Sequence, residues 1–499
     1  MSTIQTQIQT QIDQNALRRD YWINKNRYYY KDLKSLLQYT IPKGARVLEI
    51  GTGTGDLLNA ISPSYGVGVD ISSQMISAAK SKYPHLHFVC TAAEKLNINA
   101  NTEEEKFDYI IISDTLAYLT DIQQTLQQLK RLAKSSGDTR VIFTFHNFFW
   151  GPILKAAEWL GLKMPQERLN WLNQNDLLNF LYLEGFDLIK SGQRFLCPKY
   201  IPFLSNFCNK YLVQLPFFRR LSIYSYVVAR INSNSNNHNN HNNHNYSVSV
   251  IIPARNEKGN IEDAVKRVPL MGKHTEIIFV EGNSTDDTLA EIKRICEKYK
   301  DYKDHKDKID LKYFVQDGKG KGDAVRKGFE KATGDILMIL DADLTVPPEE
   351  LPKFYHAIAS GKGEFINGSR LVYPLEKDSM RMLNILGNKF FSMCFTWLLS
   401  QNLKDTLCGT KVIFNRHYLQ LIKNRSYFGE FDPFGDFDLI FGAAKLNLKI
   451  VEIPIRYKAR TYGETNISRF YHGLLLLKMV IFAMNKIKFI STHPHIANK

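Results

Sequence analysis

Short apolar runs that stop abruptly at glycine, asparagine, aspartate or proline recur along the chain. Arg46–Ile50, Gly66–Asp70, His87–Cys90, Tyr109–Ser113 and Val141–Phe145 form one set. Ser247–Pro253, Glu276–Glu281, Leu311–Val315, Ile336–Asp341 and Glu364–Gly368 form a second. Runs of this length and apolarity predict buried strands, and amphipathic stretches with helical spacing lie between them. Such alternation predicts α/β architecture with parallel sheets, and two sets predict two domains.

The sets are separated by Asn232–Asn245, NSNSNNHNNHNNHN, which has no apolar residue and cannot contribute to a core. It reads as a low-complexity linker rather than a metal site, although its histidines recur every third residue. The expected domains are therefore residues 1–231, a linker at 232–246, and residues 247–499. A length of 499 residues suits two or three domains, and 44% apolar with 23% charged residues suits globular cores. The net charge of +15 favours anionic partners. No nucleic-acid motif accompanies it, so a nucleic-acid-binding protein is set aside. The six cysteines show no CxxC pair, which excludes a zinc ribbon and suits free thiols. The N-terminus lacks a signal-peptide pattern. Gly473–Met484 is interrupted by Lys478, so no membrane span is expected and the end of the chain reads as a basic surface helix. The dense charges of Lys298–Asp310 read as a surface insertion.

In the first half, the strand ending in Glu49-Ile50 runs into Gly51-Thr-Gly53-Thr-Gly55, and a second strand ends in Asp70, 21 positions after Glu49. Glycines permit a sharp turn and close approach of a ligand, and an acidic strand end at that distance suits ribose hydroxyls. The pattern resembles the first motif of class I S-adenosylmethionine-dependent methyltransferases over about residues 40–145. The resemblance implies a Rossmann-like sheet, with Glu49, Gly51, Gly53, Gly55, Asp70 and Asp114 at the cofactor. Asp114 reads equally as a helix N-cap. Glu94 stands near where relatives carry an acidic adenine contact, and His146 is a candidate base. Lys199–Arg230 mixes aromatics with arginines and reads as core packing, a pocket cap or a membrane-facing surface.

In the second half, Pro253-Ala-Arg255-Asn256-Glu257, Glu281-Gly-Asn-Ser-Thr-Asp-Asp and Asp341-Ala-Asp343 all follow apolar strands. A parallel sheet brings such ends to one edge, where ligands bind. Two aspartates flanking one small residue can hold a hard cation against a diphosphate leaving group. Lys319-Gly-Lys321-Gly-Asp-Ala-Val-Arg326, Gly368-Ser-Arg370, Asp405-Thr-x-Cys-Gly409, Phe437-Asp438, Glu452-x-Pro454 and Arg460-x-x-Gly463-Glu-Thr465 follow in order. Together they resemble family 2 glycosyltransferases of the GT-A fold, nearest to the dolichol-phosphate mannosyltransferase-like enzymes that glycosylate polyprenyl phosphates.

That resemblance implies Mg²⁺ or Mn²⁺ at Asp341 and Asp343, and a nucleotide-sugar donor held by Pro253, Arg255, Asn256, Glu257, Glu281, Lys321 and Arg326. It puts Arg370 and Arg460 at phosphates of donor or acceptor. The expected acceptor is a polyprenyl phosphate or glycolipid. A sugar hydroxyl is the alternative and would need a base, Asp436 or Asp438, which otherwise cap a helix start. Ser379–Leu403 reads as either an interfacial or a core helix. The expected activity is inverting sugar transfer together with methyl transfer, in the cytoplasm or peripherally on the cytoplasmic face of a membrane. A rival reading makes the first half a non-catalytic partner-binding module.

Overall fold

The computed structural model describes residues 3–165, 170, 172–232, 246–300, 309–370, 372, 382–423, 437–460, 462 and 469–489. Asp436, Gly463–Thr465, nearly all of the linker and the centre of the 298–310 charge run lie outside the described residues. The chain divides into two compact units, Met1–Asn236 with Lys488–Lys499, and Asn237–Ile487.

The first unit is built on a seven-stranded sheet: β1 (Arg46–Ile50), β2 (Tyr65–Asp70), β3 (His87–Cys90), β4 (Tyr109–Ser113), β5 (Arg140–His146), β6 (Phe186–Arg194) and β7 (Tyr224–Ile231). Its order is β3-β2-β1-β4-β5-β7-β6. The five predicted strands pair in parallel, and Ile50 stands opposite both Val69 and Ile112. The expectation of a wholly parallel sheet is corrected at one edge, where β7 runs antiparallel to β5 and β6. Tyr224, Val227, Val228 and Ala229 of β7 are fully buried, so the end of the Lys199–Arg230 segment is core. The strand order reverses around β1, because β2 lies on one side and β4 on the other. Such a reversal leaves a crevice at the carboxyl ends of the strands.

The second unit repeats the plan with β8 (Ser247–Ala254), β9 (His274–Glu281), β10 (Ile309–Val315), β11 (Ile336–Ile339), β12 (Phe365–Ser369), β13 (Lys411–Phe414) and β14 (Ile450–Pro454). The order is β10-β9-β8-β11-β13-β12-β14, and β13 is antiparallel to both neighbours, so this sheet is also mixed. Apolar clusters cover both of its faces: Val250, Ile252, Met338 and Phe354 on one, Ile251, Leu337, Ile339 and Phe395 on the other. Burial on both faces explains why these strands read as continuous apolar runs. The helix Met382–Leu399 buries Phe395, Leu398 and Leu399 and leaves Phe390 and Met393 exposed. The helix Arg469–Ala483 packs beside it and is mainly apolar, burying Leu476, Met479, Val480 and Ala483 while Leu474 and Ile481 face outward. The expected basic surface helix is therefore an apolar helix with one face in the core. Among the described residues no helix is long and apolar enough to cross a membrane.

Candidate functional site

In the first unit the glycine turn after β1 has positive φ at all three glycines, 73° at Gly51, 54° at Gly53 and 79° at Gly55. A side chain at Gly51 would fall 2.2 Å from the Thr115 hydroxyl, so this position must be bare as well as left-handed. Asp70 at the end of β2 accepts from Gly53 N (2.8 Å) and Ser72 N (3.0 Å). A carboxylate has about four acceptor positions, so capacity remains for ligand hydroxyls. Glu49 is buried beneath the turn and accepts from the Thr52 hydroxyl (2.7 Å). Burial pushes its carboxyl up to about 8. Glu49 and Gly55 shape the turn from behind, whereas Gly51, Gly53, Asp70 and Asp114 line a cavity of about 690 Å³.

Asp114 caps no helix, which removes one of its two readings. It holds φ at 52°, a conformation costly for a side-chain-bearing residue, and accepts from the Tyr29 hydroxyl (2.6 Å). Its other oxygen lies 3.6 Å from His146 Nδ1, beyond hydrogen-bond range. Tyr29 stacks on His146 with ring centroids 5.9 Å apart. Burial, then the Asp114 charge, raises the Tyr29 hydroxyl well above its ordinary value, so it stays a donor. Glu94 lines the same cavity and accepts with one oxygen from Thr120 N (2.8 Å) and Thr120 Oγ1 (2.7 Å), which anchors the loop after β4.

The sequence reading missed the cover of this cavity. Helices Thr3–Ala16, Arg19–Lys25 and Arg27–Thr40 supply Ile12, Arg19, Trp22, Tyr29 and Tyr30 to its lining. Arg19 stands over the Tyr30 ring (5.7 Å), and its Nε lies 3.7 Å from where a Gly53 side chain would be. The clustered Arg18-Arg19 and Tyr28-Tyr29-Tyr30 were the available signal.

In the second unit β8, β9 and β11 deliver their motifs to one edge, since Ala254 pairs with Glu281 and Ile251 with Ile339. Pro253 closes β8 opposite Val280. Asn256 takes φ 57° and its side chain accepts from Thr285 N (2.8 Å), while Glu281 accepts from Ser284 N (2.6 Å). The loops after β8 and β9 are thereby stitched into one wall. Glu257 accepts from Asn260 (2.7 Å) and lies 3.3 Å from Arg460. Its burial raises its carboxyl despite Arg460.

The two aspartates after β11 each meet a cation. Asp341 pairs with Lys321 Nζ at 2.6 Å. Burial opposes its ionisation, yet Lys321, with Lys411 and Arg370 behind it, holds the carboxyl below the usual range. Asp343 accepts from Arg460 (2.8 Å) and from Thr345 Oγ1 (2.8 Å). Gly409 presses on this pair: a side chain there would sit 2.0 Å from Asp341 Oδ2 and 2.6 Å from Lys321 Nζ. Arg370 is engaged in a two-pronged pair with Asp405, at 2.7 and 2.8 Å, and Asp405 is fully buried and also accepts from Asn388 (2.9 Å). The two-pronged pair fixes the guanidinium in place. Arg255 is exposed, and Arg326 lies 3.9 Å from Asp323. Asp438 occupies the first turn of the helix Phe437–Lys445.

Two family models match this chain. Residues 48–139 match "Methyltransferase domain", and residues 249–426 match "Glycosyl transferase family 2". A dolichol-phosphate mannosyltransferase from Pyrococcus furiosus is 31% identical over 225 residues, 44% of this chain and 59% of the relative. The chain thus spans about three fifths of that relative's length. Magnesium protoporphyrin IX methyltransferase from Synechocystis, solved with bound SAH, is 18% identical over 46% of this chain and 99% of its own, with TM-score 0.32. Glucosyl-3-phosphoglycerate synthase from Mycobacterium tuberculosis, solved with uridine diphosphate, is 16% identical over 48% of this chain and 80% of its own, with TM-score 0.35.

Proposed function

From a chain that carries a methyltransferase domain and a family 2 glycosyltransferase domain, we infer a bifunctional enzyme. Residues 247–499 transfer a sugar from a nucleotide-sugar donor to a polyprenyl phosphate, with inversion. Residues 1–231 transfer a methyl group from S-adenosylmethionine. The observation that carries the sugar-transfer reading is the Asp341/Asp343 pair at a strand end, faced by Lys321 and Arg460.

Two carboxylates on adjacent turns of a loop are a hard oxygen donor set, which fits Mg²⁺ or Mn²⁺. Bound there by Asp341 and Asp343, the ion would neutralise charge on the diphosphate leaving group. Lys321 and Arg460, which pair with these carboxylates, are the cations placed to contact the donor phosphates. The wall of Pro253, Asn256, Glu257 and Glu281 holds the nucleotide, with Arg255 and Arg326 at its rim. Arg370, held in place by Asp405, is the candidate N–H donor to an acceptor phosphate. A phosphate acceptor carries its own nucleophilic oxyanion and requires no base, in keeping with the relative's name, which points to dolichol phosphate. Asp438 is the base candidate for a hydroxyl acceptor. The exposed apolar residues of helices Met382–Leu399 and Arg469–Ala483 support peripheral contact with a membrane.

In the first unit, the glycine turn accommodates the amino-acid part of S-adenosylmethionine, Asp70 accepts from its ribose hydroxyls, and Arg19 pairs with its carboxylate. When bound, this cofactor would supply the electrophilic methyl group. His146, stacked on the Tyr29 ring, is the candidate base beside the acceptor, and the acceptor's proton passes to its imidazole. The cavity's size suits a nucleoside-sized ligand with room for an acceptor.

The test is a donor screen. The protein is incubated with each nucleotide sugar, Mg²⁺ or Mn²⁺ and a short polyprenyl phosphate, with Asp343→Ala as control. The reading expects one productive donor and loss of turnover in the variant; full activity of Asp343→Ala removes the metal role. Calorimetry with S-adenosylmethionine tests the first half. Absence of binding would leave it the partner-binding module.

A further inference from the structure

The first unit carries large apolar side chains on its surface that neither proposed reaction uses. Phe149, Ile153 and Trp159 are exposed in and beside the helix Gly151–Trp159, and Phe203, Phe207 and Phe217 in the segment after β6; Trp159 is 86% and Phe203 92% exposed. Isolated exposed apolar residues are ordinary, but a contiguous set marks a contact surface. The two segments are joined. Trp150 Nε1 donates to Leu221 O (2.8 Å) and Asn147 Nδ2 donates to Arg220 O (2.9 Å). Both also reach the cavity, through Ile153 and Tyr200. The exposed apolar side chains thus sit on the two segments that also line the cavity.

Charge identifies the occupant. From Lys199 to Ser222 the chain holds Lys199, Lys210, Arg219 and Arg220 and no acidic residue. Lys199, Arg219 and Arg220 are exposed and have no acidic partner among the described residues. Aromatic rings set among unpaired cations match an interface that is apolar beneath and anionic above, which is the boundary of a lipid bilayer. The helices Leu204–Lys210 and Pro216–Arg219 are one to two turns long, suited to lying in such a boundary rather than to crossing it.

We propose that this rim seats the first unit on an anionic lipid surface, with the mouth of the cavity toward the headgroups, so that the methyl acceptor is a lipid-anchored molecule. The choice of acceptor rests on the methyl-transfer reading; the docking itself does not.

The experiment uses the full chain and vesicles of phosphatidylcholine alone or with phosphatidylglycerol, followed by sedimentation. Binding is expected to the anionic vesicles and to fall with added salt. Lipids brominated in the acyl chain should quench tryptophan emission, and Trp159→Phe should lose part of that quenching. Phe203→Ser with Phe217→Ser should lower partitioning severalfold, and Arg219→Ala with Arg220→Ala by about tenfold or more. Calorimetry with S-adenosylmethionine on each variant reports an intact fold. Vesicle binding that ignores all of these substitutions overturns the proposal, because the other unit then does the docking; so does no binding at all. A chain that binds vesicles but not S-adenosylmethionine refutes methyl transfer and leaves the docking standing.

Discussion

Gly409 shows how much a single missing side chain can decide. It follows a buried Asp405 and lies where any Cβ would collide with the Asp341 carboxylate and the Lys321 ammonium. Gly409→Ala must therefore push apart Asp341 and Lys321, the groups proposed to face the donor phosphates. Displacements of about 1 Å at such groups cost about 100-fold in rate, so sugar transfer should fall by that order while thermal stability changes little. The check is a turnover assay beside a melt. Glu49 poses an opposite case, a buried acid set behind the turn and off the cavity lining. Its folded-state value of about 8 exceeds the ordinary 4.5. The stability its neutral form contributes is full below about 4.5 and is lost as pH rises through 8. Glu49→Gln keeps the neutral shape and the bond from Thr52. Its stability should stay level across that window while the wild type weakens, and the gap should be largest above pH 8. Denaturant melts at pH 5 and pH 9 decide it; parallel curves would remove the proton linkage. The sequence motif put Glu49 at the cofactor, and its burial behind the turn was not legible there, because a motif shows which residues recur together and not which way each side chain turns. The pairing of Arg370 with Asp405, 35 positions away, belongs to tertiary structure and was not legible in the motif.

At the scale of elements, legibility followed burial. Ten strands were read from apolar runs because both faces of each sheet are covered, so the runs are nearly continuous. Of the strands that escaped notice, Phe186–Arg194 has four half-buried polar or small positions in a row, Lys411–Phe414 is four residues long, and Ile450–Pro454 was recognised only as a motif; Tyr224–Ile231 is buried along its length but was read only as the end of the mixed aromatic and basic segment Lys199–Arg230. These are the strands that bring antiparallel pairing or form the far edges, and they turned an expected parallel architecture into two mixed sheets. The N-terminal helices escaped for another reason. Thr3–Ala16 is weakly apolar and gains its place by lining the cavity and by Asp13 accepting from Ser72 Oγ. If these helices close the cofactor cavity, Arg19 is their charged contact. Arg19→Met should weaken S-adenosylmethionine binding by about ten- to a hundredfold, the worth of a charge-assisted bond to a carboxylate. S-adenosyl compounds lacking that carboxylate should bind both proteins alike. Calorimetry with both ligands separates a carboxylate contact, which predicts this equality, from a general loosening of the helix, which does not.

Over the whole molecule, two units with separate sheets and separate strand-end sites imply two separately addressable ligands. A ligand that binds only the folded form stabilises by about 2.7 kcal/mol at a hundredfold excess over its dissociation constant. S-adenosylmethionine should therefore raise one unfolding transition of the full chain, and a nucleoside diphosphate with Mn²⁺ the other. The assignment is made by substitution rather than by dissection. Gly51→Ala, which forces a Cβ against Thr115 at a left-handed position, should abolish the first shift and spare the second. Asp343→Ala should abolish the second and spare the first. Calorimetric scans of three proteins with two ligands give the full matrix. If either substitution erases both shifts, the two sites are energetically one, and the separate assignment of cofactor and donor fails. If each erases only its own, the covalent fusion supplies proximity between two chemistries and no coupling between them.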